Sequence, residues 1–270
     1  MRSRTGPSHL LASAAVLAIL ALSAGACSNI GQREVTGSVS GANTASLTQE
    51  EARRSLETLG ARYRQNPNDA DAAITYAKAL RLTDQRAQAV AVLEQASIRN
   101  PNSMPLLGAY GRALADAGQY QQALTTLERA HTPDNPDWRV LNVQGAVLDQ
   151  MGRHAEAQKH YASALKIMPN EPSVLSNLGL SYMLTKDLKN AEATLKRAAA
   201  QPDAGPKVRQ NLALVVGLQG RFDEAEKIAS ADLPDSEAAA NVAYLRQMLA
   251  QKGDLKKMGR AYAPVADAGS

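Results

Sequence analysis

Apolar residues follow one another along this chain at helical spacing, and the spacing itself returns every 34 residues. Ala89, Leu93 and Ala96 stand at i, i+4 and i+7, the positions that share one face of a helix. The same face returns 34 residues later at Ala123 and Leu127. The pattern therefore predicts helices, arranged in a unit that the chain repeats.

Four positions of this unit keep the step over five copies. The apolar stripe that opens each copy marks a first helix, which ends near a turn such as Gly118, so each unit is predicted to be a hairpin of two helices. Small residues are needed where the two helices cross, because backbones approach closely only where no large side chain intervenes. The units are predicted to start at Ala70, Met104, Trp138, Pro172 and Pro206. The four registers are Ala89, Ala123, Ala157, Ala191 and Ala225; Ala77, Gly111, Gly145, Gly179 and Ala213; Leu80, Leu114, Leu148, Tyr182 and Val216; and Leu93, Leu127, Tyr161, Leu195 and Ala229.

Both ends of the array carry a helix signal of their own. Thr48 followed by Glu51 fits a capping box and predicts a helix from Gln49 to about Gln65. A final helix is predicted after Pro234, where it would cover the exposed core of the last unit. We expect the array with its two terminal helices over residues 48–250, and a partly helical, then disordered tail over residues 251–270. The apolar face of the final helix consists of Val242, Leu245 and Leu249.

The first 26 residues have the layout of an export signal. Arg2 and Arg4 open the segment, residues 10–22 are apolar, and small residues follow up to Ala26. An apolar helix of that length is too short to cross about 30 Å of hydrocarbon. We therefore predict a cleaved export signal over residues 1–26.

Cys27, the only cysteine of the chain, stands directly after this segment. Ala24 and Ala26 fit an ordinary secretory cleavage, which would leave a soluble periplasmic protein. The junction also resembles the bacterial lipobox, although Ala24 stands where that motif usually has leucine. We favour lipidation of Cys27 and delivery to the outer membrane, with the chain facing the periplasm. Residues 27–47 are poor in large apolar side chains and are predicted to form a flexible tether.

Composition narrows the function classes. The formal net charge is +4, and about +2 without Arg2 and Arg4, and the charges are interspersed, which does not favour a nucleic-acid partner. One cysteine excludes an intrachain disulfide and a zinc site built on several thiolates. Aromatic residues make up only 4% of the chain, so alanine and leucine must fill most of the core, which favours helix.

No constellation for catalysis stands out. His154 and His160 are six residues apart, on different faces of one helix, and His131 lies beside a turn, so all three are expected to be solvated. The chain has no glycine-rich phosphate loop and neither a G-x-S-x-G nor an H-E-x-x-H motif. We predict no catalytic residue, no cofactor and no metal.

The repeat resembles the tetratricopeptide repeat. That family also has a 34-residue period, with Gly or Ala at position 8, Ala at positions 20 and 27, and Pro near position 32. The segments "GQYQQALTTLERA" (residues 118–130) and "GRFDEAE" (residues 220–226) carry the likeness most clearly. The resemblance implies an all-α solenoid of about five helical hairpins with a capping helix at each end. Asp84 and Lys186 replace the usual turn glycine, and Asp232 replaces the third small residue of the last unit, so we expect a loosely closed fifth hairpin.

The resemblance also implies a partner-binding groove on the first helices. In the family such a groove is lined by positions 2, 5, 9, 12 and 13 of each unit. Carried over to this sequence, the groove would be basic and polar at one end and apolar at the other, although the apolar side chains might as well pack against a neighbouring or final helix. The proposed groove residues are Lys78, Arg81, Arg112, Arg139, Asn142, Leu180, Met183, Leu184, Leu214 and Leu218.

The whole layout resembles the assembly lipoproteins of tight-adherence (Flp) pilus machineries. The ending "GRFDEAEKIASADLPDSEAAANVAYLRQML" (residues 220–249) carries this closer likeness. It implies a non-catalytic scaffold that binds protein partners of a pilus or secretion assembly, such as an outer-membrane secretin. Two other readings stay open: a general envelope-assembly adaptor, and a regulatory subunit of a cell-wall enzyme.

Overall fold

The computed structural model describes residues 49–261, and side chains over residues 50–251. Within that range the chain forms twelve α-helices, and its one extended contact is an isolated antiparallel bridge between Thr132 and Asn135. The export signal, Cys27, the tether, Thr48 and residues 262–270 lie outside the described residues. The helices are α1 (Gln49–Gln65), α2 (Ala70–Leu82), α3 (Arg86–Arg99), α4 (Met104–Asp116), α5 (Tyr120–Glu128), α6 (Trp138–Gln150), α7 (His154–Ile167), α8 (Pro172–Leu184), α9 (Leu188–Ala199), α10 (Pro206–Leu218), α11 (Phe222–Ala229) and α12 (Asp235–Ala261).

Helices α2 to α11 form five hairpins in succession, each a first helix followed by a second helix. The first helices α2, α4, α6, α8 and α10 begin at the five residues that the 34-residue step predicts. Helix α1 packs before the first hairpin and α12 after the last one. The predicted all-α architecture, with its two capping helices, is confirmed. Helix α12 continues to Ala261, beyond the boundary expected at residue 250.

The first helices begin where the local chemistry favours a start. The carboxylate of Asp69 accepts a hydrogen bond from the backbone N–H of Ala72 at 2.9 Å, which satisfies a donor that the first turn leaves open. Asp137 caps α6 in the same way through the N–H of Arg139 at 2.7 Å. Prolines open α8 and α10, where the missing N–H costs nothing.

The turn inside each hairpin needs a residue in the left-handed region. The five turn positions all have positive φ, and three of them are glycine. Asp84 and Lys186 adopt φ of 63° and 65° at the other two, although a side chain disfavours that conformation. The replaced turn glycines therefore leave the hairpin geometry unchanged.

Within a hairpin the two helices approach most closely at the glycine of the first helix. A Cβ atom on Gly145 would lie 2.5 Å from Cε1 of Tyr161, and one on Gly179 would lie 2.6 Å from Cγ of Leu195. Both distances are far below van der Waals contact. Tyr161 and Leu195 are fully buried over these glycines, so the missing side chain of the first helix is the space that the second helix fills.

The stack is curved, with the first helices on its inner side. Consecutive first helices contact each other from α2 through to α10, whereas no two consecutive second helices between α3 and α11 do. In a curved stack the elements on the inside lie closer together than those on the outside. Helix α12 contacts both α10 and α11, so it takes the place that a sixth first helix would have. The first helices consequently line a concave surface, which we call the inner face.

Arginines join the second helices to the preceding unit. The guanidinium of Arg129 donates to the carbonyl of Pro101 at 3.1 Å, and Arg197 donates to that of Pro169 at 3.2 Å, two units further on. Arg221 donates to Glu192 at 2.7 Å, and this contact is the main reason that the pKa of Glu192 falls to about 2. Polar contacts thus hold consecutive units together alongside the apolar core.

The fifth hairpin is not loosely closed, and that expectation is wrong. Asp232 accepts two hydrogen bonds from Arg209, at 2.6 Å from Nε and 2.5 Å from Nη2, and its side chain is only 10% exposed. Helix α11 already ends at Ala229, so Asp232 lies beyond the helix crossing and need not be small. It reaches back to the first helix of its own unit and closes the hairpin by a bidentate ion pair.

None of the helices in the described range combines the length and the apolar character that crossing a bilayer requires.

The closest approach can be tested at Gly145. We expect Gly145→Ala to lower the free energy of unfolding by about 1–2 kcal/mol, because overpacking against the Tyr161 ring outweighs the better helix propensity of alanine. Urea unfolding followed by circular dichroism measures this. The matched control is Gly108→Ala, whose new Cβ would meet Val140 at an ordinary 3.5 Å, and which we expect to be neutral or stabilising.

A double-mutant cycle separates crowding from other effects. In a Tyr161→Leu background, Gly145→Ala recreates the Ala77 and Leu93 pair of the first unit, so its cost should largely disappear. An equal cost of Gly145→Ala in both backgrounds would show that the tyrosine ring does not set the limit.

Candidate partner-binding surface

All ten proposed groove residues lie on first helices and hence on the elements that line the inner face. Eight of them are half-buried. The structure differs from the prediction at Asn142 and Met183, which are only 7% and 6% exposed and leave little surface to a partner. The ten are distributed as Lys78 and Arg81 on α2, Arg112 on α4, Arg139 and Asn142 on α6, Leu180, Met183 and Leu184 on α8, and Leu214 and Leu218 on α10.

Burial at these two positions has a common cause, since positions 5 and 12 of a first helix face the next first helix. The amide of Asn177 on α8 donates to Asn142 Oδ1 at 2.9 Å. Met183 occupies the position that Gly217 has in the following unit, and a Cβ on Gly217 would lie 2.5 Å from Leu245 of α12. A residue at either position is therefore covered by its neighbour in the stack.

Polar bonds between consecutive first helices form a ladder along the inner face. Arg81 Nε donates to Asp116 Oδ2 at 2.5 Å, Asn177 donates to Asn142, and Asn211 Nδ2 donates to Ser176 Oγ at 3.0 Å. Each pair is 35 residues apart, so the same geometry recurs with different side chains. We call these three contacts the inner-face ladder. They use polar groups of groove positions to fix the spacing of the repeats.

The basic end of the inner face comprises the first three units. Burial lowers the pKa of Lys78, and the neighbouring Arg81 and Arg112 lower it further. Arg81 shares its charge with Asp116 through the ladder. The Arg139 guanidinium lies 4.6 Å from the centre of the Trp138 ring, within the range of a cation–π contact.

The apolar end consists of leucines on α8 and α10. Leu180, Leu184, Leu214 and Leu218 are half-buried, so packing within the stack covers part of each and leaves part accessible. Helices α8 and α10 contact each other directly. The two alternatives for these leucines, packing and partner contact, are thus compatible.

A buried hydrogen-bond network that the sequence analysis missed centres on Asp149. Its Oδ1 accepts from His154 Nδ1 and from Ser181 Oγ, both at 2.8 Å, and its Oδ2 accepts from the Tyr161 hydroxyl at 3.0 Å. The Asp149 side chain is 8% exposed. The network ties α6, α7 and α8 together, and burial together with Asp149 raises the pKa of Tyr161. One signal was available: tyrosine replaces the usual leucine of its register in the same unit that carries this aspartate.

This arrangement fits a structural lock better than a reactive centre. Ser181 and His154 bond to the same carboxylate oxygen, so the hydroxyl donates to Asp149 and not to the imidazole. A serine nucleophile needs a base within hydrogen-bond reach of its hydroxyl. The expectation that His154 is solvated is wrong, because this ring is held by a buried carboxylate.

His131 and His160 also differ from the solvated state that the sequence predicts. Both are half-buried, and the Nδ1 atom of each is buried without a hydrogen-bond partner. Burial lowers the pKa of His160, and the nearby His131 lowers it further. Over the residues that the structure describes, histidine, cysteine, aspartate and glutamate nowhere form a group of three that would hold a metal ion.

Two family models match the chain. Residues 51–130 match the model of the anaphase-promoting complex, cyclosome, subunit 3, and residues 150–215 match the tetratricopeptide repeat. The matched segments cover four of the five hairpins wholly or in part, and the hairpins follow one another in one curved stack. The chain folds as a tetratricopeptide-repeat solenoid. Solenoids of this kind are typically non-catalytic scaffolds for protein–protein interaction.

Solved structures of similar fold come from proteins with different roles. PilW, a widely conserved type IV pilus biogenesis factor, has a TM-score of 0.63 at 17% identity, and the match covers 72% of this chain and 91% of PilW. The Cut9–Hcn1 tetramer of the anaphase-promoting complex gives 0.59 at 15% identity, over 73% of this chain and 40% of that one. Human IFIT1, solved with a capped RNA, gives 0.57 at 17% identity, over 66% and 45%. This solenoid therefore spans less than half of the last two chains, and at such identities the likeness shows the fold alone.

No curated protein sequence matches the chain significantly.

The Asp149 network should contribute strongly to the stability of this tetratricopeptide solenoid. We expect Asp149→Ala to lower the free energy of unfolding by about 2–4 kcal/mol, because it leaves the buried hydroxyls of Tyr161 and Ser181 without an acceptor. Chemical denaturation at pH 7 measures this. Asp116→Ala removes a more exposed carboxylate from the ladder and should cost less than about 1 kcal/mol. Equal losses for the two variants would contradict a special role of the buried network.

Proposed function

We propose that the chain is a lipid-anchored, non-catalytic scaffold of the bacterial envelope that assists the assembly of a tight-adherence (Flp) pilus, in the manner of the lipoprotein TadD. Its protein partner would be a component of the pilus or secretion machinery, plausibly the outer-membrane secretin. The chain would face the periplasm from the outer membrane, or be soluble there if Cys27 is not acylated. The sequence resemblance of residues 220–249 to TadD supports the pilus assignment.

The observation that carries the proposal is the accessible apolar surface on the inner face. Leu180, Leu184, Leu214 and Leu218 leave part of their side chains open on a concave surface of paired helices. Such a surface can take the apolar face of a helix or strand from a partner. The similarity to PilW is consistent with this role, since PilW is itself a pilus biogenesis factor.

Two other assignments use the same surface. A general envelope-assembly adaptor would bind other outer-membrane proteins, and a regulatory subunit would bind a cell-wall enzyme. Gene neighbourhood distinguishes them, because pilin, secretin and secretion-ATPase genes alongside favour the pilus assignment, whereas wall-synthesis genes favour the last one.

The anchor is tested at Cys27. Metabolic labelling with a radioactive fatty acid should label the wild-type chain in the membrane fraction and leave Cys27→Ala unlabelled. Several acyl chains make attachment lasting, because each buried methylene contributes about 0.8 kcal/mol. Absence of label on the wild type, or equal label on Cys27→Ala, would favour the soluble alternative.

The groove is tested by placing charge on its apolar end. The double variant Leu184→Asp, Leu214→Asp should reduce co-purification of the secretin with the full-length lipoprotein at least tenfold, because burying an unpaired carboxylate against an apolar partner is costly. Ile98→Asp on α3 is the matched control, since that isoleucine is 70% exposed and lies on a second helix. Circular dichroism melting establishes that both variants are folded. Undiminished capture by a folded double variant would exclude the apolar end as the binding site.

A further inference from the structure

Three cations of the first two units lie next to each other on the inner face. Lys78 and Arg112 occupy the same position of consecutive first helices, α2 and α4, which contact each other. Arg81 follows Lys78 by about one helical turn on α2. Both arginines act electrostatically on the Lys78 ammonium, which places the three charges within mutual range. We call Lys78, Arg81 and Arg112 the basic inner cluster.

The charge of this cluster is incompletely compensated. Asp116 binds Arg81, with the Nε of the guanidinium at 2.5 Å from its Oδ2. Lys78 makes no hydrogen bond or ion pair with any residue between 50 and 251, and the charged groups that act on it are the two arginines. A half-buried ammonium beside two other cations is an unfavourable arrangement for the protein alone. An anionic group bound beside Lys78 would relieve it.

The location of the cluster selects the kind of anion. Lys78 and Arg112 belong to the first helices, and these line the concave side of the stack. A groove of this type admits an extended or helical peptide, whereas a flat bilayer surface contacts a convex one. The carboxylate of Asp116 within the cluster also disfavours a continuous run of phosphates, which would approach it closely.

We propose that the basic inner cluster binds an acidic segment of the protein partner, with an aspartate or glutamate side chain held between Lys78 and Arg112. This rests on the proposed function in so far as the partner lies along the inner face. The bound carboxylate accepts hydrogen bonds from the ammonium and raises the pKa of Lys78 towards its ordinary value. Association is accordingly weakened by salt.

The same reasoning gives the partner segment two parts. Acidic side chains meet the first two units, and apolar side chains meet Leu184 and Leu214 on the fourth and fifth units. The third unit, with its buried Asp149 network, separates the two ends. A partner that carries only one of the two parts binds more weakly than one that carries both.

Synthetic fluorescent peptides test the proposal with the full chain in detergent. The probe has a block of five glutamates and aspartates, a Gly/Ser spacer and a block of five leucines and alanines. A second peptide has Gln and Asn in place of the acids, and a third has Ser in place of the apolar block. Fluorescence anisotropy at low and high salt gives the dissociation constants.

The protein variant is Lys78→Glu with Arg112→Glu. We expect it to bind the first peptide at least tenfold more weakly than the wild type does, and to bind the second peptide as the wild type does. Lys159→Glu with Lys166→Glu changes the net charge equally on exposed sites of α7 and should alter binding less than about twofold. Lys78→Arg should retain binding, and thermal melting establishes that each variant is folded.

A second readout follows Lys78 itself. Reductive methylation with a ¹³C label, assigned with Lys78→Arg, reports the pKa of this amine by NMR. The acidic peptide should raise that pKa, and the amide peptide should leave it unchanged.

Several outcomes overturn the proposal. They are the absence of saturable binding of the acidic peptide to the wild type, equal binding of the acidic and amide peptides, and equal binding by the charge-reversed variant. Stronger competition by a single-stranded oligonucleotide or by anionic phosphatidylglycerol vesicles at equal charge would assign the cluster to a different ligand. If these tests fail while Leu184→Asp with Leu214→Asp still abolishes secretin capture, the proposed function stands and the acidic-segment proposal falls.

Discussion

The close approach of two helix backbones at one point of each hairpin is the constraint on which the rest of the structure depends. Gly145 lies under the ring of Tyr161, and Gly179 under Leu195, at distances that leave no room for a methyl group. A chain that satisfies this condition every 34 residues has its helix order, its turn positions and its pairing of first with second helices decided together. The condition concerns the absence of atoms, so it leaves the remaining surface positions free to vary.

Curvature of the stack then decides which of those positions a partner can use. The first helices lie closer together than the second helices, so polar groups on the inner face reach the next unit and bond to it. Arg81 with Asp116 and Asn142 with Asn177 are such contacts. Groups that hold neighbouring units together are less available to a ligand. Lys78 and the half-buried leucines are what the inner face retains for binding after these contacts are made.

The helices could be predicted from the sequence because their starts depend on local and periodic signals. The 34-residue step gave all five first helices to the residue, helped by prolines such as Pro172 that fix the first turn. The Asp149 network and the Arg209–Asp232 pair could not be predicted in the same way, since each joins residues whose distance depends on how helices pack. The low exposure of Met183 likewise follows from the neighbouring helix, which a helical-face argument on α8 alone does not contain.

Fold and function separate at this same boundary. Similar solenoids occur in a pilus biogenesis factor, in a subunit pair of the anaphase-promoting complex and in an RNA-bound human protein, so the backbone arrangement alone does not select a ligand. What differs is which few side chains the inner face leaves unsatisfied. In this chain those side chains have opposite character at the two ends of the stack, with a crowded ammonium on α2 and leucines on α8 and α10. A ligand that satisfies both ends must itself change character along its length, and that requirement is more restrictive than the fold.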